Sequence, residues 1–264
     1  MNEMTPAYKA ALIEYLYMLA DDELLLGHRA SEWTGIGPIL EADIALSSIA
    51  QDEMGHAEVL YGLLEALGEG HPDELAFARD LPYWRNAIFS ELPRGDWGFT
   101  IVRHYLHDVA EQVRWQALAA SSYAPLAQVA RKLLVEEKYH LVHSQTWVRK
   151  LGNATEESHR RMQAALDRAF PYALGLFEPT ELEAVRVSEG IAPAEADLQQ
   201  QWLNEVVPFL QQAGLHVPAE ETAEGWRPTV EPVYGGRQGT HTEYMEQLLD
   251  AMQFVYRLEP GAKW

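Results

Sequence analysis

Two stretches of the chain share one pattern. "QDEMGHAE" (51–58) holds Glu53 and His56, and "EEKYHLVH" (136–143) holds Glu137 and His140, each pair three residues apart. On a helix, positions three apart lie on one face, so a carboxylate and an imidazole can reach a single point. A hard or borderline cation held between helices needs that arrangement. One Glu-x-x-His pair is weak evidence. Two pairs are four of the six ligands of a dinuclear carboxylate site in a four-helix bundle, which also takes one acid from each of two other helices. "ADDELLLGH" supplies Glu23, 30 residues before Glu53, and "YLHDVAEQV" supplies Asp108, 29 residues before Glu137. In a helical hairpin, residues equally far from the turn lie opposite each other. Both hairpins therefore set an acid against a Glu-x-x-His pair.

Neighbours compete for these roles. Asp22 could replace Glu23, although Glu23 sits on the apolar stripe of Leu19, Ala20 and Leu26. Glu111, one turn beyond Asp108, could be the third-helix ligand or a nearby acid. Glu136 breaks the spacing, and His104, His107 and His143 read as supporting, core or surface histidines. The flanking runs, such as "LLLG", "VLYGLL" and "RKLLV", are too apolar for an exposed face. Four buried carboxylates without counter-charge would cost several kcal/mol each or stay protonated. Two cations remove that cost. Oxygen and imidazole donors without sulfur suit two iron ions, with manganese as the other option. Glu23 and Asp108 are then expected as terminal or bridging ligands and Glu53 and Glu137 as bridges. His56 and His140 would bind one ion each, and Glu111 is the candidate proton relay. An iron pair could reduce O2 and pass one oxygen atom to a substrate inside a bundle that excludes water.

The elements that must position these residues read as helices. The first is expected from Thr5 to Ala30 with Pro6 near N1, and the second from about Pro38 to Leu67. The third runs from Asp96, an N-cap, to Ser122, and the fourth from Pro125 to the "LGN" of 151–153, where Gly152 suits a C-cap. The short connections imply antiparallel neighbours. Residues 68–95 are an aromatic insertion carrying minor helices or a crossover. A fifth helix is expected over 155–177, with Pro171 as a kink, then shorter ones near 180–188 and 194–213 and a last one from Thr242 to Leu258. The Pro/Gly-rich stretch before the last helix reads as an extended loop, and no run alternates as a strand would. The expectation is a single all-α domain over 1–264: a four-helix bundle core of about 5–152, with C-terminal helices and a tail wrapping it.

The 264 residues carry a net charge of −20 and no cysteine. The charge disfavours nucleic acid and anionic lipid as partners. The missing thiols exclude disulfides, thiol catalysis, iron–sulfur clusters and thiolate zinc sites, and they fit a cytoplasmic setting. No apolar run approaches the roughly 20 residues of a membrane span, and "MNEMTPAYKAAL" does not read as a secretion signal. Trp33, Trp84, Trp97, Trp115, Trp147 and Trp202 read as core or interface rather than tunnel lining. Arg131, Lys132 and Lys138 read as a solvated face, and "VYGGRQGTHTE" (233–243) as a docking loop.

Beyond the ligand pattern, the chain resembles the ferritin-like subunits of the bacterial multicomponent phenylacetyl-CoA epoxidase. "QDEMGH" (51–56) and "SSYAPLAQVARKLLVEEKYH" (121–140) are similar to its catalytic A subunit. "SEWTG" (31–35), "ELAFARD" (74–80), "WVRKLGNAT" (147–155) and the ending "GTHTEYMEQLLDAMQFVYRLEPGAKW" are similar to its structural C subunit, over most of the chain. The resemblance implies a ferritin-like fold and an oligomer with a homologous oxygenase subunit and a small accessory subunit. It also implies electrons from a separate reductase and an aryl-CoA substrate. The C subunit of that family is regarded as non-catalytic, with decayed ligands, whereas all six positions here match the catalytic pattern. Three readings follow: a di-iron oxygenase component, a metal-free scaffold subunit, or a ferritin-like oxidase without organic substrate.

Overall fold

The helix starts follow from side-chain caps and prolines. The computed structural model describes residues 4–259 and residue 262, so part of the C-terminal ending lies outside the described residues. Helix α1 (Pro6–Ser31) opens with Pro6 in its first turn and the Thr5 hydroxyl accepting from Tyr8 N at 3.1 Å. Helix α2 (Leu40–Ala66) starts two residues after the expected Pro38, because the loop before it is organised by Asp43, whose carboxylate accepts from Gly35 N and Gly37 N. The insertion folds as α3 (Pro72–Phe77), a 3-10 turn (Leu81–Tyr83) and α4 (Ile88–Glu91). Asp96 caps α5 (Trp97–Leu118), accepting from Phe99 N at 2.9 Å.

Helix α6 (Ala124–Ala154) runs through Gly152, so that glycine is not the expected C-cap. A Cβ there would collide with the carbonyl oxygen of Ala213, so its smallness lets the end of a later helix pack against α6. Helix α7 (Glu156–Leu174) begins with a reciprocal capping box between Thr155 and Ser158, contains Pro171 and tightens into a 3-10 turn (Gly175–Phe177). Then come α8 (Glu183–Ser188), α9 (Glu195–Gln212) and α10 (Glu243–Leu258). Between α9 and α10 the expected loop contains a two-stranded antiparallel ribbon, β1 (Ala219–Thr222) with β2 (Gly225–Pro228). Four-residue strands are too short to display alternation, which is why none was legible.

Among the described residues the chain is all-α apart from that ribbon. Helices α1 and α2 pair as one hairpin and α5 and α6 as the other, with α2 against α6 across the bundle, the ferritin-like arrangement. Helices α7 and α9 cover α5, α8 lies on α1, and α10 on the insertion. One apolar cluster centres on α5, α7 and α9, where Trp202 packs on Phe170 and Phe177 and donates to Leu106 O at 2.9 Å. A second joins α1, α2 and the first half of α6 around Tyr15, Leu16 and Trp115. Trp84, Trp115 and Trp202 are fully buried core residues, while Trp33, Trp97 and Trp147 form an edge-to-face ladder with centroids 4.9 and 5.2 Å apart. Arg131, Lys132 and Lys138 are exposed. Among the described residues, no helix is long and apolar enough to cross a membrane.

Candidate metal centre

Three successive acids on α1 point in three directions, because a helix turns about 100° per residue. Asp21 faces the insertion, pairing with Arg79 and accepting from Tyr61 Oη at 2.6 Å and Arg85 N at 2.7 Å. Asp22 accepts from Ala87 N and Ser90 Oγ, both at 2.8 Å, so it does not compete for the centre. Glu23 points between the helices. Gly27, one turn on, admits α2: a Cβ there would lie 3.1 Å from Glu53 Cβ and 3.2 Å from Ala50 O.

The result is a buried cluster. Glu23, Glu53, His56 and Glu137 each place one donor atom within 4.8 Å of all the others and could hold a metal ion. Glu53 and Glu137 each reach toward both imidazoles. Glu53 has one oxygen 3.7 Å from His56 Nδ1 and the other 3.5 Å from His140 Nδ1. Glu137 has one 3.3 Å from His56 Nδ1 and the other 3.4 Å from His140 Nδ1. Glu23 lies 3.2 Å from His56 Nδ1. The two rings are 6.0 Å apart. Asp108 is buried but not among the converging donors: its Oδ2 accepts from Ser144 Oγ at 2.5 Å and its Oδ1 has no partner. Glu111 is buried too, with one oxygen 3.8 Å from His107 Nδ1 and the other without a partner. The structure thus brings four of the six expected ligands into mutual reach, sets His140 against Glu53 and Glu137, and leaves Asp108 bonded to Ser144.

Two groups that the Glu-x-x-His spacing does not single out complete the arrangement. His56 donates from Nε2 to Glu136 at 3.0 Å, and His140 from Nε2 to Asp52 at 3.2 Å. Each outer acid directly precedes the glutamate of its own Glu-x-x-His pair and holds the histidine of the opposite hairpin, and each is partly exposed, 36% for Glu136 and 47% for Asp52. Such partners fix the ring and leave Nδ1 facing the centre, as metal-ligating histidines require. The signal was in the sequence: an acid directly before each Glu-x-x-His, "DE" at 52–53 and "EE" at 136–137.

The donor set fits cations. All four oxygens of Glu53 and Glu137, and Nδ1 of His140, are buried without an aligned hydrogen bond. Burial and the charge of Glu53 push Glu23 well above the ordinary carboxylate range. Burial also works to raise Glu53, yet the His140 and His56 side chains hold it well below that range. Burial raises Asp108, and burial plus the charges of Glu137, Glu23 and Glu53 raises Glu111. Burial opposes a charged His140, but Glu137 and Glu53 bring it up to about 12. Such crowding of like charge is what a metal pair relieves. Burial pushes His104 well down and His107 and His143 down to about 4, so these three are neutral neighbours, with His107 stacked on Phe89 at 5.1 Å.

The chain is similar to known proteins along its whole length. The family model for "Phenylacetic acid catabolic protein" matches residues 1–264. The chain is 35% identical over 254 residues to the C subunit of the Escherichia coli (strain K12) 1,2-phenylacetyl-CoA epoxidase, covering 96% of this chain and 99% of that one. It is 26% identical over 220 residues to the A subunit of the same enzyme, covering 81% and 71%. With a full-length family match around a helical bundle that buries paired Glu-x-x-His motifs, the chain belongs to the phenylacetic acid catabolic protein family.

Proposed function

We propose that this chain is a metal-holding, ferritin-like subunit of a multicomponent monooxygenase that epoxidises the aromatic ring of phenylacetyl-CoA with O2. The observation carrying the reading is that Glu53 and Glu137 each direct one oxygen toward each imidazole, so both carboxylates would be available to ions held at either ring. Glu23 and His56 would hold one ion, and His140 with Asp108 the other. Bound there, two irons supply the reduction of O2 and the transfer of one oxygen atom. The protein's share is to keep both Nδ1 atoms aimed inward through Glu136 and Asp52 and to exclude water through the apolar helix faces. Glu111, pushed well above the ordinary carboxylate range by burial and the neighbouring acids, would hold a proton beside the cluster.

The same reading takes residues 1–264 as one ferritin-like unit in the cytoplasm, with the bundle core over about 5–152. It works with a homologous oxygenase subunit, a small accessory subunit and a reductase that delivers electrons. A second reading has an observation in its favour. Identity is higher to the epoxidase's C subunit than to its A subunit, and Asp108 is hydrogen-bonded to Ser144 and is not among the four converging donors. On that reading the chain is a metal-free subunit that holds its catalytic partner.

Metal analysis separates the two. Protein purified from iron-supplemented cells is expected to carry about two irons per chain, and Glu53→Ala and His140→Ala proteins to lose them. Wild-type protein without stoichiometric metal, in a complex whose turnover survives Glu53→Ala, would establish the scaffold instead.

A further inference from the structure

The glycine-rich stretch of 233–243 packs Gly236 and Arg237 into its own chain, while Tyr234, Gln238, Thr240 and Glu243 stay exposed. Gly235 adopts φ 129°, and a Cβ at Gly236 would collide with the carbonyl oxygen of Asn86, so only glycines let this backbone lie against the insertion. The Glu178 carboxylate accepts from Gly235 N at 2.8 Å and Arg237 N at 3.4 Å. The loop inserts Arg237 into the interior, where it is 4% exposed. Its guanidinium donates to Asp22 Oδ2 at 2.6 Å and to the carbonyls of Arg85 at 2.9 Å, Leu176 at 3.2 Å and Met18 at 3.3 Å. Asp22 is the residue before Glu23, so a side chain 215 positions away grips the α1 turn that presents Glu23.

Between them lies a cavity of about 20 Å³, enough for one water. Glu23 and Glu111 line it together with Arg237, Arg114 and His107. Three of its lining residues keep a buried polar atom without a protein partner: Glu111 Oε2, Arg237 Nε and Trp115 Nε1. A buried water usually makes two to four hydrogen bonds to such groups.

We infer that Arg237 is a positioning residue of the metal centre. It holds Asp22, and with it the α1 turn carrying Glu23, and it closes a chamber whose single water links Glu111 to the C-terminal loop. This rests on the metal-centre reading above. The test titrates full-length wild-type, Arg237→Met and Arg237→Lys proteins with Mn(II), following free and bound ion by electron paramagnetic resonance. Thermal unfolding of each metal-free protein is recorded alongside. Arg237→Met is expected to weaken Mn(II) binding roughly tenfold, the lower end for losing a group that orients a ligand, and to alter the bound-ion spectrum. Arg237→Lys should restore most of both. Wild-type affinity and spectrum in Arg237→Met overturn the inference, whatever its melting temperature. If Arg237→Met does not fold, Asp22→Asn carries the test: a weaker shift in the same direction supports the inference, and wild-type behaviour sinks it. A wild-type chain that binds no Mn(II) or Fe(II) defeats the metal-centre reading and this inference with it, whereas a binding wild type with unmoved variants defeats this inference alone.

Discussion

The α1–α2 half of the centre and the α5–α6 half use nearly the same residues and are built differently. In the first, Glu23 extends to 3.2 Å from His56 Nδ1 and joins the converging group. In the second, Asp108 is buried but accepts from Ser144 Oγ, one turn beyond His140. Aspartate is one methylene shorter than glutamate, and a hydroxyl stands within its reach. Hairpin arithmetic therefore does not fix where a carboxylate ends. The outer acids tie the halves together, since Glu136 of one hairpin holds His56 of the other and Asp52 returns the contact to His140.

The largest expected effect erases the comparison altogether. Glu53→Ala or Glu137→Ala removes a group that reaches toward both imidazoles, so metal analysis should find both ions lost rather than one. Glu23→Ala should then expose the asymmetry. It is expected to empty the His56 end and halve the metal content, whereas Asp108→Ala weakens the His140 end less; equal losses would mean that Asp108 swings inward when metal binds.

The outer acids come next. Glu136→Gln and Asp52→Asn are expected to cost about 10–100-fold in metal affinity, with Glu136→Gln acting first at the His56 end. Equal, small effects in a calorimetric titration would show that the partly exposed carboxylates do not orient the rings. Ser144→Ala is the smallest and the only gain. Freed from one hydroxyl, Asp108 should raise affinity at the His140 end by roughly threefold, within the worth of one hydrogen bond, and leave the His56 end unmoved.

Legibility followed range. Helix caps such as Thr5, Asp96 and Thr155 act within one turn, and the helices begin where those residues stand. Gly152 misleads because its neighbour, Ala213, lies 61 positions away and makes smallness rather than a turn its purpose. The ribbon of 219–228 is not legible because strands of four residues carry too little pattern. The anchors of "VYGGRQGTHTE" are not legible because they lie far along the chain: Glu178 for the backbone, Asp22 for Arg237, and Glu91, which accepts from His241 at 2.9 Å and Thr242 N at 2.7 Å.

By itself, the order of residues determined the helices, their pairing into two hairpins and the expectation that Glu23, Glu53, His56 and Glu137 converge. Periodicity and loop length act along the chain, and that expectation follows from them. Tertiary structure alone decided which of Asp21, Asp22 and Glu23 faces inward, that Asp108 turns to Ser144, and that Asp52 and Glu136 cross between hairpins. Those outcomes depend on which side chains from distant segments arrive within about 3 Å of one another, and a linear reading does not carry that rotation and reach.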